Sequence, residues 1–398
     1  MTCRICGRAT RQVIDLGESP PANALKRSPS DDEQSFPLVV EWCQACDNVQ
    51  LRNTMSAEAL YRDYLYVTPQ SATLEAHYDY LLSFLRGNRY LTPTSFVVEP
   101  GSNAGQFLRY IRAHVANILG VDPARQISRM AQESGIPTIG DFFTRELAEV
   151  ILGEHGQADL IIARHCLAHN ASPHEMVAAA RSLVSDDGYF VVENAYVLNT
   201  IENSEFDQVY HEHMFYFSIR SMSALLGMHG FHLIDVSMSL VHGGSAIFVA
   251  SPKPHPARPA VAKYVARERL FLNADAFERF AGRAIEVRDQ LVALVRSLRA
   301  QGMSIYTYGA TAKGNTLLSF TGLTNRDIPF CVDSTPMKQG LYLPRSNIQI
   351  VPEEPLTQPP DYYLLTAWNY QDEIVRKVRQ GGNYRSQFIV PIPFVRIV

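Results

Sequence analysis

The chain has 398 residues, 46% of them apolar and 19% charged, and a formal net charge of −4. That length calls for two or three globular domains, and the mild acidity supplies no global basic field of the kind nucleic-acid-bound proteins use. No apolar run approaches the roughly 20 residues that span a bilayer and no signal-peptide pattern opens the chain, so a cytoplasmic protein away from membranes is expected.

The head carries the strongest pattern. Four of the six cysteines form two CxxC knuckles, Cys3-Arg4-Ile5-Cys6 and Cys43-Gln44-Ala45-Cys46, with 36 residues between them. Each such turn offers two sulfurs on one side of a tight loop, and zinc prefers four tetrahedral thiolates. A large chain without an export signal favours metal ligands over disulfides. Four thiolates leave no open position for water or substrate, so the site is expected to be structural, with a redox CxxC as the alternative. Cys166 and Cys331 stand alone and read as small buried apolar residues.

After an aromatic stretch at Tyr61–Val67, a helix is expected through about Arg86. Phe96–Glu99, Ile118–Val121, Leu160–Ala163 and Tyr189–Glu193 then read as buried strands separated by amphipathic helices, the rhythm of a parallel, doubly wound sheet. Phe231–Ser237 and Ser245–Ala250 follow as an antiparallel edge pair. The proline-rich run from Ser251 to Pro259 is the clearest linker. Beyond it, Tyr264–Gln301 reads as helix, and Ser304–Gly309, Ile328–Val332 and Tyr362–Leu365 as strands of a second α/β unit.

Between the first strand and its helix lies Glu99-Pro100-Gly101-Ser102-Asn103-Ala104-Gly105. Glycines there permit turns that a Cβ would oppose and let backbone approach a ligand. The second strand ends in Asp122-Pro123, whose carboxylate suits the hydroxyls of a ribose. Asp141-Phe142 offers an acid and a ring face for an adenine. A dinucleotide site wants its loop free for a pyrophosphate. Glu99-x-Gly101 instead resembles the first motif of class I S-adenosylmethionine (SAM) methyltransferases, whose cofactor carries an amino group and no phosphate. A nicotinamide-dependent nucleotide-sugar oxidoreductase is the rival enzyme, and a zinc-ribbon nucleic-acid reader the rival outside catalysis.

Further motifs extend the resemblance over nearly the whole chain. They are Leu16-Gly17-x-x-Pro20-x-Ala22-Asn23 in the head, Glu205-Phe206-Asp207-x-x-Tyr210-His211-Glu212-His213-x-x-Tyr216-Phe217-Ser218 and His242-Gly243-Gly244-Ser245 in the middle, and three in the tail. The tail motifs are Tyr308-Gly309-Ala310-x-Ala312-Lys313-Gly314-Asn315-Thr316, Asp333-x-x-Pro336-x-Lys338-Gln339-Gly340 and Trp368-Asn369-Tyr370. In this order they resemble the sugar C-methyltransferases of deoxysugar biosynthesis, in particular those acting at C3 of dTDP-4-keto-6-deoxyhexoses. The resemblance implies an α/β chain with a zinc-ribbon-like head (residues 1–68), a Rossmann-like SAM domain (69–255) and a second Rossmann-like domain for the nucleotide sugar (256–398). A monomer or weak oligomer is expected.

Carbon becomes a nucleophile when a neighbouring ketone acidifies it, so the enzyme needs a base, a donor for the enolate oxygen and an aligned methyl. The family match makes His213 the base, with Tyr210 and Glu212 orienting it or touching the sugar. His169, with Tyr64 or Tyr66, is the candidate for the enolate oxygen. Glu99, Gly101, Ser102, Asn103, Gly105, Asp122, Pro123, Asp141, Phe142 and Arg164 are the expected cofactor contacts. Lys313, Asn315, Lys338, Trp368 and Asn369 are the expected substrate contacts, the lysines against a pyrophosphate. The zinc is expected to fold the head and to hold Tyr64 and Tyr66 over the site, without touching the chemistry itself.

Overall fold

The computed structural model describes residues 1–56, 58, 60, 71–353 and 358–398, with the backbone alone of His242. In the head, β1 (Arg11–Ser19), β2 (Phe36–Cys43) and β3 (Asn48–Leu51) form an antiparallel meander. The CxxC at Cys43 closes the β2–β3 hairpin.

Five strands follow in a βα rhythm: β4 (Phe96–Pro100), β5 (Asn117–Val121), β6 (Thr138–Ile139), β7 (Ala158–Arg164) and β8 (Val184–Ala195). Local signals set the helices between them. Thr144 caps the helix Arg145–His155 by accepting the Leu147 N–H, and Pro173 opens Pro173–Leu183, where a missing N–H costs nothing. The next strand, β9 (Phe215–Tyr216), leaves this domain and pairs antiparallel with β3, Val49 opposite Tyr216. The chain then returns as β10 (His232–Ser239) and β11 (Ser245–Ser251). The sheet order is β10-β11-β8-β7-β4-β5-β6, parallel from β8 to β6, with the expected antiparallel pair at one edge.

The expected helix Tyr264–Gln301 is two helices, Pro259–Phe271 and Ala274–Ala300. Asn273 divides them, because its side chain accepts the Ala276 N–H and starts a new helix. The last domain has β12 (Ile305–Tyr308), β13 (Phe330–Val332), β14 (Gln349–Val351), β15 (Tyr362–Leu365), β16 (Gln387–Val390) and β17 (Arg396–Ile397). Their order is β14-β13-β12-β15-β16-β17, parallel except for the last. Among the described residues no helix is long and apolar enough to cross a membrane.

The head has no core of its own. Ile14, Leu16, Val40, Trp42 and Leu51 share one apolar cluster with Phe277, Phe280 and Val287 of the long helix, and Trp42 lies 4.7 Å from Phe277 ring to ring. The cysteines belong to a different cluster, with the middle domain. The loop after β1 also reaches both neighbours. His211 donates from Nε2 to the Ser19 carbonyl (2.9 Å), Asn23 donates from Nδ2 to Glu212 (2.8 Å), and Asn315 donates to the Ala22 carbonyl.

Glu212 is 1% exposed, so losing a donor there is costly. Asn23→Ala should lower unfolding stability by about 1–3 kcal/mol in a denaturant titration; an unchanged midpoint would mean that Glu212 does not depend on this bond.

Candidate active site and metal centre

The segment from Glu205 to Ser218 is buried almost throughout. A single 3-10 turn, Phe206–Gln208, precedes the Tyr210–His213 loop, and β9 follows it. His213 donates from Nδ1 to the Gln208 carbonyl at 3.0 Å, since a carbonyl can only accept. That bond fixes the tautomer and leaves Nε2 as the acceptor, which lies 2.5 Å from the Tyr210 hydroxyl. The Tyr216 hydroxyl donates to the same carbonyl at 3.1 Å. His211 differs. Its Nε2–H is spent on Ser19 and burial pulls its pKa down to about 4, so it is a neutral fastener.

His169 closes a 3-10 turn beyond β7, and its ring centre lies 5.0 Å from that of His213. The Met214 N–H donates to the Ala168 carbonyl (2.9 Å) and ties the two segments together. Tyr64 and Tyr66 lie outside the described residues.

The expected cofactor residues gather at the carboxyl ends of β4 to β7, where open α/β sheets collect ligands. Glu99 is fully buried, and Arg164 grips its Oε1 at 2.7 and 2.9 Å from Nη2 and Nε. Its Oε2 has no hydrogen-bond partner among the described residues, and burial, opposed by Arg164, pushes its pKa up to about 7. Asp122 accepts the N–H of Asn103 (2.8 Å) and of Ala124 (3.0 Å). Gly101 has φ +68°, and a Cβ there would stand 2.6 Å from that of Cys166. Packing thus explains this glycine as fully as ligand approach does. Gly105 and Ser102 are likewise buried, whereas Asn103, Pro123, Asp141 and Phe142 are at least partly exposed.

Two buried acids beside the loop, one of them holding a loop N–H, would repel a pyrophosphate. The same acids suit a phosphate-free cofactor with an ammonium and a sulfonium, and the orphaned Glu99 oxygen suits a donor. These residues fit SAM.

The four cysteine sulfurs all lie within 4.8 Å of one another, with Cys3–Cys46 at 3.6 Å and Cys6–Cys43 at 3.5 Å. The edge of a tetrahedron with metal–sulfur bonds of about 2.3 Å is about 3.8 Å, so the set fits zinc. N–H groups of Ile5 and Asn48 point at the Cys3 sulfur (3.4 and 3.6 Å). The knuckle sits against the segment that follows His213. Arg4, inside the first CxxC, donates to the Met214 carbonyl (3.3 Å) and lies over the Phe215 ring.

In the tail, four of the five expected substrate residues have partners inside the protein. The Lys313 ammonium is 4.8 Å from the Trp368 ring centre and 3.9 Å from Glu205, and Trp368 donates from Nε1 to Asp207 (2.5 Å). Asn315 bonds Ala22, and Lys338 donates to the Ala310 carbonyl (2.7 Å). Asn369 is partly exposed. The turn after β12 has its N–H groups taken within the protein, because Asp333 accepts from the Ala310 N–H (2.7 Å) and the Val332 carbonyl from the Gly309 N–H. Reading residue types alone missed Glu205 and Asp207 as the partners of Lys313 and Trp368; they stand among Glu202, Asn203, Ser204 and Gln208, so nothing in the local sequence marks them as buried.

Models of three families match the chain: a zinc binding domain over residues 3–61, a methyltransferase domain over 75–236 and a C-methyltransferase C-terminal domain over 240–393. Head, cofactor loop and tail together define a SAM-dependent C-methyltransferase with a zinc-bound head. All of this chain aligns with 96% of the C-methyltransferase NovU of Streptomyces niveus at 38% identity, and the chain belongs to that C-methyltransferase family. Among solved structures, it is 14% identical to the SAM-bound magnesium protoporphyrin IX methyltransferase ChlM of Synechocystis PCC 6803 (TM-score 0.35, 46% of this chain and 86% of that one). It is also 14% identical to the PH0226 protein of Pyrococcus horikoshii OT3 (TM-score 0.37, 47% and 95%).

Two outcomes follow from this geometry. Cys43→Ser should release zinc, read with a colorimetric chelator, and should raise hydrogen exchange at Phe215 and Tyr216, whose strand is held by the β2–β3 hairpin; unchanged protection would uncouple the metal from that strand. Burial raises the Glu205 pKa to about 8 despite Lys313. An acid held protonated by the fold loses that stabilisation as pH rises from its unfolded value through about 8. Glu205→Gln should therefore flatten the fall of unfolding free energy between pH 4.5 and about 8; parallel curves would contradict the shift.

Proposed function

We propose that the enzyme methylates the carbon next to the ketone of a nucleotide-linked 4-keto-6-deoxy sugar, with dTDP as the nucleotide and C3 as the carbon, and with His213 as the base. The observation that carries this reading is the fixed tautomer. A backbone carbonyl holds Nδ1–H of His213, so Nε2 is the one nitrogen able to take a proton. When bound, SAM supplies an electrophilic methyl group.

The chain's own residues do the rest. Nε2 of His213 removes the α-proton, and the Gln208 carbonyl stabilises the imidazolium that results. The Tyr210 hydroxyl turns from Nε2 toward the enolate oxygen, joined there by His169. Glu212, fastened to Asn23, orients the loop from behind. Lys338 and Asn369 are the tail residues proposed to touch the nucleotide sugar, while Lys313, Asn315 and Trp368 frame the site through their internal bonds. Tyr64 and Tyr66 remain proposed neighbours of the substrate.

The test is exchange of the α-proton in deuterated buffer, followed by NMR on a dTDP-4-keto-6-deoxyhexose. Wild-type protein should exchange it, and His213→Asn should exchange it on the order of 100-fold or more slowly. Undiminished exchange in the variant would remove His213 from the role. Loss of the C5 proton signal in place of C3 would move the methylation to C5.

A further inference from the structure

Asp207 is 1% exposed and sits in the turn that ends at Gln208. A carboxylate so deeply buried needs donors, because an unpartnered one costs far more than a neutral group. Among the described residues, Trp368 supplies its side-chain donor across the domain boundary at 2.5 Å. Its other oxygen, Oδ1, has none. The next carbonyl in the chain is that of Gln208, which accepts from His213 and from Tyr216.

Other bonds from the last domain bear on the same turn. Thr316 donates to the Val209 carbonyl at 2.9 Å, and Phe320 lies edge-on to Phe206 at 5.4 Å. Lys313 covers the indole ring. The turn is thus gripped from the tail side, and its outward carbonyl holds the imidazole.

We infer that Trp368 is a positioning residue for His213: through Asp207 it fixes the turn whose Gln208 carbonyl holds the Nδ1–H of His213. This inference rests on the reading of His213 as the base. The tail domain then does more than meet the nucleotide sugar, since one of its side chains sets the direction of the basic nitrogen in the domain before it. The indole N–H is the working group. Its loss frees the turn, loosens the grip on Nδ1–H and weakens the stabilisation of the imidazolium, which lowers the basicity of Nε2.

Trp368→Phe keeps a ring under Lys313 and removes only the donor. The expected result is a kcat lower by on the order of 10- to 100-fold with SAM affinity by calorimetry unchanged, the scale that a small misplacement of a reacting group produces. α-Proton exchange should slow by the same factor. The acid limb of the kcat/KM profile should move to lower pH, which a merely structural loss would not cause. Asp207→Ala should reproduce all three effects, and Asp207→Asn, which keeps an acceptor for the indole, should restore most of the rate. Should Trp368→Phe fail to fold, the Asp207 pair carries the same comparison.

Wild-type kcat, exchange and pH profile in folded Trp368→Phe, or an Asp207→Asn no better than Asp207→Ala, would overturn the inference. His213→Asn is run beside them. If it is inactive in exchange while Trp368→Phe is normal, the base assignment stands and the positioning role falls; if it exchanges normally, the base assignment itself has failed.

Discussion

The pairing of β3 with β9 is the constraint on which the site depends. β3 is one arm of the hairpin closed by Cys43 and Cys46, and β9 begins two residues after His213. A two-residue strand has too few ladder bonds to hold itself, so its place is set by the sheet it joins. Arg4 on the Met214 carbonyl and His211 on the Ser19 carbonyl bind the same segment to the head from other directions. The metal is therefore structural, but what it builds includes the strand that follows His213.

A second theme is burial of charge at the junction of the three parts. Glu205, Asp207 and Glu212 are each 1% exposed, and burial raises the pKa of all three. Partners reach them from other domains: Lys313 faces Glu205 across 3.9 Å and Trp368 donates to Asp207, both from the tail, and Asn23 of the head donates to Glu212, while Asn203 donates to Glu205 from within its own domain. Gly243 has φ +87°, and a side chain there would overlap the Glu205 carboxylate, which accounts for this glycine without any ligand. Such contacts are poor sources of net stability yet specific in geometry, because a misplaced domain leaves an acid unsolvated. They favour one arrangement of the parts over others.

Much of this was legible in the sequence. The doubly wound sheet follows from buried runs at β4, β5, β7 and β8, and the metal set from cysteine spacing alone. The acid–glycine loop pointed to SAM, which the buried Glu99 and Asp122 favour for a physical reason. Pairings distant in sequence were not legible. Nothing local to Phe215–Tyr216 marks them as an edge of the head's sheet, and β6 is too short to show a period. The division of the long helix at Asn273 was readable as a cap but is masked by apolar periodicity on both sides. The internal partners of the tail residues were not legible either, for a general reason. A lysine, an asparagine or a tryptophan at a domain junction has the composition of a ligand site, and only coordinates reveal that Lys313, Asn315 and Trp368 have found their partners within the protein.

Methyl transfer to carbon by a base fixed through a backbone carbonyl can be tested directly. The direct measurement supplies SAM labelled with carbon-13 in its methyl group, together with a panel of nucleotide-linked 4-keto-6-deoxy sugars, and locates the label by NMR. A new carbon–carbon bond next to the ketone is the predicted result. Label on a sugar oxygen, or no transfer to any 4-keto sugar while SAM is bound, would contradict it.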